Sequence, residues 1–212
     1  GVASTGGVTV HGFEASAVSY PAFADDMASL GAEIVAVARN EAELQSFIKS
    51  LPGKGHAYVK ADFSNPDEVR TNVSSFLEKN GPVHILVNNT GGPAGGPITD
   101  ATEEAFVQAF SSHLLCNQIL AKLVLPGMKS SGYGRIINII STSVKAPLHN
   151  LGVSNTIRAA VGNWSKTWAN EVGKFGITVN NVLPGATDTQ RLRSLIVQKA
   201  EKTGMAVEEV EK

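Results

Sequence analysis

Short apolar runs alternate with helical patterns along this chain, and that alternation limits its fold more than any other feature. Strands read as β-branched runs between turn signals at Ala32–Ala38 (AEIVAVA), His56–Ala61 (HAYVKA), His84–Asn88 (HILVN), Arg135–Ile140 (RIINII) and Thr178–Leu183 (TVNNVL). Several are apolar on successive residues, which requires a sheet covered on both faces. Helical patterns fill the intervals at Glu41–Leu51, Pro66–Asn80, Thr102–Ser130 and Leu151–Lys174, and a fifth begins at Thr189 and runs to Lys212. Pro66 suits a first helical position behind Asn65 or Ser64 as cap, and Pro126 predicts a bend. The alternation predicts an α/β, doubly wound parallel sheet in a single domain spanning residues 1–212.

Composition narrows the function classes. Lys and Arg total 18 against 19 Asp and Glu, a formal charge of −1, so no nucleic-acid or anionic-membrane partner is expected. No apolar run reaches the ~18 residues a membrane helix needs. The lone cysteine, Cys116, lies in a helical pattern with apolar neighbours and reads as a buried, inert thiol in a reducing, cytoplasmic setting. No metal site is expected. Both ends read as cut short relative to a complete domain.

In an open parallel sheet the ligand sits beyond the C-terminal ends of the strands. The polar residues follow that rule, with Arg39 after the AEIVAVA run, Asp62 and Phe63 after HAYVKA, Asn88 to Gly92 closing HILVN, Ser141 after RIINII, and Pro184 to Thr189 after TVNNVL. LGAEIVAVARN, KADFSNPDEV, ILVNNTGG, GYGRIINIIS and ITVNNVLPGATDT, in this order and at this spacing, resemble the short-chain dehydrogenase/reductase family, most closely its 3-oxoacyl-carrier-protein-reductase-like branch. The similarity runs from about Gly31 to Thr189. It implies a Rossmann fold and NADP as cofactor, with NAD as the alternative. Arg39 would face the 2′-phosphate, since a guanidinium suits that group. Asp62, with Phe63 beside it, would accept from the adenine amine, or else cap the next helix. Asn88, Asn89 and Gly91 would lie beside the adenosine, with Thr90 in place of the family's small Ala. Pro184, Gly185 and Thr189 would hold the nicotinamide carboxamide.

Two departures stand out. The family's Thr-Gly-x-x-x-Gly-x-Gly loop reads here as TGGVTVHG from Thr5 to Gly12, which keeps Gly6 and Gly12 but puts Val10 in the middle place. In that register the first strand shrinks to Val2–Ser4, and the span from Gly12 to Gly31 is about eight residues too long, with a helix from Pro21 to Leu30 inside it. The catalytic set also changes. Ser141 matches the family's Ser, but Ser154 and Arg158 stand where Tyr and Lys are expected, and His113 stands at the helical Asn. A serine hydroxyl is a far weaker acid than a phenol of pKa about 10. His149, in the loop between Ser141 and Ser154, is the candidate substitute acid.

The resemblance implies an oxidoreductase acting on a carbonyl or alcohol of a small molecule, with a 3-oxoacyl thioester as one substrate. The alternative is a catalytically silent member that binds nucleotide or assembles with an active relative. A lyase or isomerase in the same pocket is a third. The family's habit implies a homo-oligomer, tetramer or dimer, formed through the two long helices. Trp164 and Trp168, four residues apart, would contribute to that interface or to the core.

Overall fold

Among the described residues the apolar runs become a six-stranded parallel sheet in the order β3-β2-β1-β4-β5-β6. The computed structural model describes residues 8–11 and 22–185, with positions 196, 197, 200, 204, 206 and 209 beyond them. The strands are β1 Val8–His11, β2 Ile34–Ala38, β3 Ala57–Lys60, β4 Ile85–Asn88, β5 Gly134–Ile139 and β6 Ile177–Val182. Chain order reverses direction across the sheet between β1 and β4, which pair in register at Val8 with Ile85. Such a reversal opens a crevice above the strand ends.

The continuous apolar runs are explained by which layer each residue meets. Ile34, Ala36 and Ala38 face α1 (Phe23–Ser29) and α2 (Glu41–Ser50), while Val35 and Val37 join the opposite layer. That layer holds α3 (Pro66–Asn80), α5 (Cys116–Ser131) and α6 (Gly152–Val172), through Val69, Val73, Ile119, Leu120 and Val172. Leu86 and Ile136 are fully buried there, and each such burial is worth about 1.5–3 kcal/mol.

Helix signals act where the sequence places them. Asn65 caps α3 by accepting from the Glu68 N–H at 3.3 Å, Pro66 opens the helix, and Asp67 and Glu68 load its first turn against the macrodipole. Asn40 does the same for α2 through Glu43. Thr102 caps α4 (Glu103–Ala109) through Ala105.

Two expectations are corrected. The first strand is Val8–His11, not Val2–Ser4, so Val10 is a strand residue, its backbone opposite Ala36 and Val87. Gly6 therefore precedes the strand in the sequence and cannot belong to a segment that follows it, whereas Gly12 comes directly after the strand in the sequence. Counted from Gly12, the second and third glycine places fall on Ser16 and Val18, and most of the apparent excess before Gly31 vanishes. Gly6, Gly12, Ser16 and Val18 lie outside the described residues. The error arose because a run of Val, Thr and Val serves a strand better than a phosphate loop, and only one glycine remained to anchor the register.

The second correction concerns the single helix expected at Thr102–Ser130, which a π-helical segment at Phe110–Leu115 divides into α4 and α5; α5 runs through Pro126 to Ser131. The expected helix from Thr189 to Lys212 lies almost wholly outside the described residues, as does Thr189.

Candidate functional site

The strand ends deliver the candidate residues to one edge of the sheet. Arg39 follows β2, Asp62 and Phe63 follow β3, Asn88 ends β4, and Ser141 and Pro184 follow β5 and β6. A cavity of about 590 Å³ opens at this edge, and Arg39, Asp62, Phe63, Thr90, Gly91 and His113 are among its walls. A Cβ built at Gly91 would meet nothing within 4 Å, so the backbone there borders open space.

Asp62 does not cap α3, which Asn65 does. Its carboxylate accepts from the Ser64 N–H at 2.8 Å. That bond, with help from the Ser64 hydroxyl and the Arg39 cation and against partial burial, holds its pKa below the ordinary carboxylate value. Asp62 is thus charged at neutral pH, and it stays so until the pH falls through that lowered value. Cation and anion stand together on one wall of the cavity.

The second group of residues lies at the ends of β4 and β5 and on α6. Ser141 Oγ accepts from the Ser143 N–H at 3.1 Å, closing a short 3₁₀ turn, which leaves its O–H to donate. Ser154 and Arg158 lie one helical turn apart on α6, so they share a face. Arg158 donates to the Ile139 carbonyl at 2.8 Å and to the Thr90 carbonyl at 3.3 Å. His113, 2% exposed, sits in the π-helical segment with Nδ1 hydrogen-bonded to Thr90 Oγ1. The Pro184 carbonyl accepts from the Thr142 N–H at 3.1 Å, which ties the loops after β5 and β6 together.

His149 lies elsewhere. It is exposed and lines a second cavity of about 580 Å³ with Ser143, Leu148 and Thr156. Residues of an α-helix step by about 100°, which turns Gly152, Asn155, Thr156 and Ala159, the α6 residues of this cavity, away from the face of Ser154 and Arg158.

A buried amide chain, not anticipated as a unit from the sequence, lies beneath the strand ends. Asn88 donates to Asn138 at 2.8 Å, Asn138 to Asn181 at 3.2 Å, Asn181 to Ser165 Oγ at 2.6 Å, and Ser165 to the Gly162 carbonyl at 2.9 Å. Asn88 is opposite Asn138, and Asn138 opposite Asn181, in register. The visible signal was an asparagine inside the apolar RIINII run. The two indoles behave similarly: Trp164 and Trp168 both donate to Gln118 Oε1, at 2.7 and 2.9 Å, clasping α6 to α5.

Cys116 is fully buried beside the Phe63 carbonyl, and burial first, with the Asp62 charge second, pushes its thiol up to about 12. At about pH 8 only on the order of one molecule in ten thousand would carry the thiolate, the reactive form. Iodoacetamide should therefore leave the native protein unlabelled over hours while labelling it fully in denaturant, as read by mass spectrometry. Rapid native labelling would contradict this burial.

Known proteins place these features in context. The family described as short chain dehydrogenase matches residues 21–200. A protein named as ketoacyl reductase 1 of the granaticin polyketide synthase of Streptomyces violaceoruber is 34% identical over 173 residues, covering 79% of this chain and 63% of its own length. The 3-oxoacyl-acyl-carrier-protein reductase FabG of Vibrio cholerae is 32% identical, over 82% of this chain and 71% of its own. The chain thus spans somewhat under two thirds of the first relative and somewhat over two thirds of the second. The structure of L-sorbose reductase from Gluconobacter frateurii, complexed with NADPH and L-sorbose, superposes with a TM-score of 0.86 at 29% identity. It covers 97% of this chain and 79% of that one.

Proposed function

This chain belongs to the short-chain dehydrogenase/reductase family, and we propose that it is an NADP-linked oxidoreductase, moving hydride between cofactor and a carbonyl or alcohol on a small molecule. The activity is carried by one domain. The observation that supports it most is the cavity at the switch in strand order, where Arg39, ionised Asp62 and open-sided Gly91 meet. Its volume, about 590 Å³, lies in the range of small-molecule sites. These groups fit a phosphorylated adenosine: a guanidinium for the 2′-phosphate, a carboxylate for the adenine amine, and bare backbone beside the ring. NADPH in the sorbose reductase complex supports the same cofactor. The ketoacyl reductase relatives support a 3-oxoacyl thioester as substrate class.

When bound, the nicotinamide supplies or accepts the hydride. The chain's own part is to hold the carbonyl oxygen and manage its proton. Ser141, whose oxygen already accepts from the Ser143 N–H, would donate its O–H to that oxygen. Arg158 would contribute a fixed positive charge but no proton, because a guanidinium does not titrate below about pH 12. Ser154 occupies the place of the acid with a hydroxyl. Pro184 and Gly185 would hold the carboxamide. This arrangement also favours a second reading, a silent member that binds nucleotide without turning over, since neither Ser154 nor Arg158 is a ready acid.

Val107 and Phe110, 66% and 47% exposed on α4 and the adjoining π-helical segment, support assembly as a homodimer or tetramer. The buried free thiol of Cys116 is consistent with a cytoplasmic setting. Among the described residues no helix is long and apolar enough to cross a membrane, and no group of three His, Cys, Asp or Glu could hold a metal.

Cofactor choice tests the reading directly. NADPH should raise the melting temperature more than NADH at equal concentration, by mass action on the native state. Arg39→Ala should lower the NADPH preference roughly tenfold, the worth of one charge-assisted contact of about 1.4 kcal/mol. Equal shifts with both cofactors would remove Arg39 from the site. No shift with either would remove the cofactor.

A further inference from the structure

Three positions that depart from the family pattern lie far apart in sequence, yet they touch. Thr90 stands for a small Ala at the end of β4, His113 for an Asn, and Arg158 for a Lys. Thr90 Oγ1 is hydrogen-bonded to His113 Nδ1 across 23 residues, and the Thr90 carbonyl accepts from Arg158 across 68. Thr90 is 8% exposed and His113 2%, so their contact is made away from bulk water, and the contact with Arg158 is partly buried.

We propose that Thr90 and His113 are positioning residues for Arg158, the three forming one unit that fixes the guanidinium against the ends of β4 and β5. The geometry carries the argument. A guanidinium is a planar fork, and here its two arms reach the carbonyl of Ile139, which ends β5, and that of Thr90, two residues past the neighbouring β4. The Thr90 carbonyl can serve as an anchor only if residue 90 is held in one orientation. Its side chain supplies that hold by bonding His113. An alanine would have no such bond, and an ammonium, a compact point charge, would not need the second anchor. His113 reaches Thr90 from the π-helical segment Phe110–Leu115, and such segments re-aim a side chain out of the ordinary helical register. The three departures are therefore a matched replacement rather than three independent losses.

The effect on cofactor rests on the NADP reading above, so the test separates the two. NADPH affinity, read from nicotinamide fluorescence on titration, is measured for His113→Asn and Thr90→Val, each with Arg158 and with Arg158→Met. Either change should weaken binding roughly fivefold when Arg158 is present, a typical coupling for residues in one network, and by less than about twofold when it is absent. Thr90→Ser, which keeps the hydroxyl, should recover most of what Thr90→Val loses. Equal factors in the two backgrounds would overturn the proposal, because His113 or Thr90 would then meet the cofactor on its own account. Should the parent protein bind no NADPH, the functional reading is what fails. The same variants are then compared by urea midpoint without ligand, where non-additive shifts support the unit and additive ones overturn it.

Discussion

The double variant Ser154→Tyr/Arg158→Lys is expected to reduce a carbonyl panel about 10²–10⁴-fold faster than the parent protein, the usual worth of a general acid. Hydride arriving at a carbonyl carbon builds negative charge on its oxygen. Ser141 can meet that oxygen with a hydrogen bond, but a serine hydroxyl does not release a proton at neutral pH. A tyrosine at 154 restores a phenol of reference pKa about 10, and a lysine one turn along the same face restores a cation that lowers it. Each single change should yield less than the pair, because groups that act as a unit are not additive. Arg158→Lys alone should gain little, since it supplies a cation with no phenol beside it to activate. The assay is NADPH consumption with each substrate. Brisk turnover by the parent, abolished by His149→Ala, would show that the acid had moved into the loop after Ser141. The placement of His149 in a separate, exposed cavity argues against that outcome.

Which parts of this molecule could be read from sequence follows from how local their causes are. Helix α3 was legible to the residue because its cap, Asn65, and Pro66 act within one position of its start and its helical pattern closes at Asn80. Strands β2 and β4 were legible because burial of every residue leaves a nearly unbroken apolar run, and β5 because isoleucines recur along it. Strand β1 was not, because VTVH is short and the glycines that would mark its following loop are reduced to Gly12. The π-helical segment escaped because FSSHLL keeps helical periodicity, and one extra residue per turn leaves no mark in composition. At the site, Arg39, Asp62, Phe63 and Gly91 could be listed from their places after strands, and the structure gathers them on one cavity. The contacts among Thr90, His113 and Arg158 could not be listed, since they depend on which strand ends lie side by side and on where the π-helical turn aims His113.

Asn138→Ala should lower stability by about 3 kcal/mol and the melting temperature by roughly 6–12 °C, given the usual shift of about 2–4 °C per kcal/mol at this chain length. Asn138 is fully buried near the C-terminal end of β5, where its carboxamide accepts from Asn88 on one side and donates to Asn181 on the other. The direction of the chain is set at its far end. The Gly162 carbonyl can only accept, so Ser165 must donate to it, Asn181 must donate to Ser165, and each amide upstream is oriented in turn. Dipoles aligned in this way strengthen one another in a low-dielectric interior. Alanine at 138 would leave the Asn88 amide and the Asn181 carbonyl facing a void, and each abandoned polar group costs about 1–3 kcal/mol. Asn180→Ala is the control, for it lies next to Asn181 on the same strand but is exposed, and surface changes stay within about 0.5 kcal/mol. A loss at 138 no larger than at 180 would mean that the amides find other partners and that the chain does not hold the strand ends together. A large loss would place the rigidity of the Asn88–Thr90 edge, and with it the anchor of Arg158, in a hydrogen-bonded chain that begins on α6.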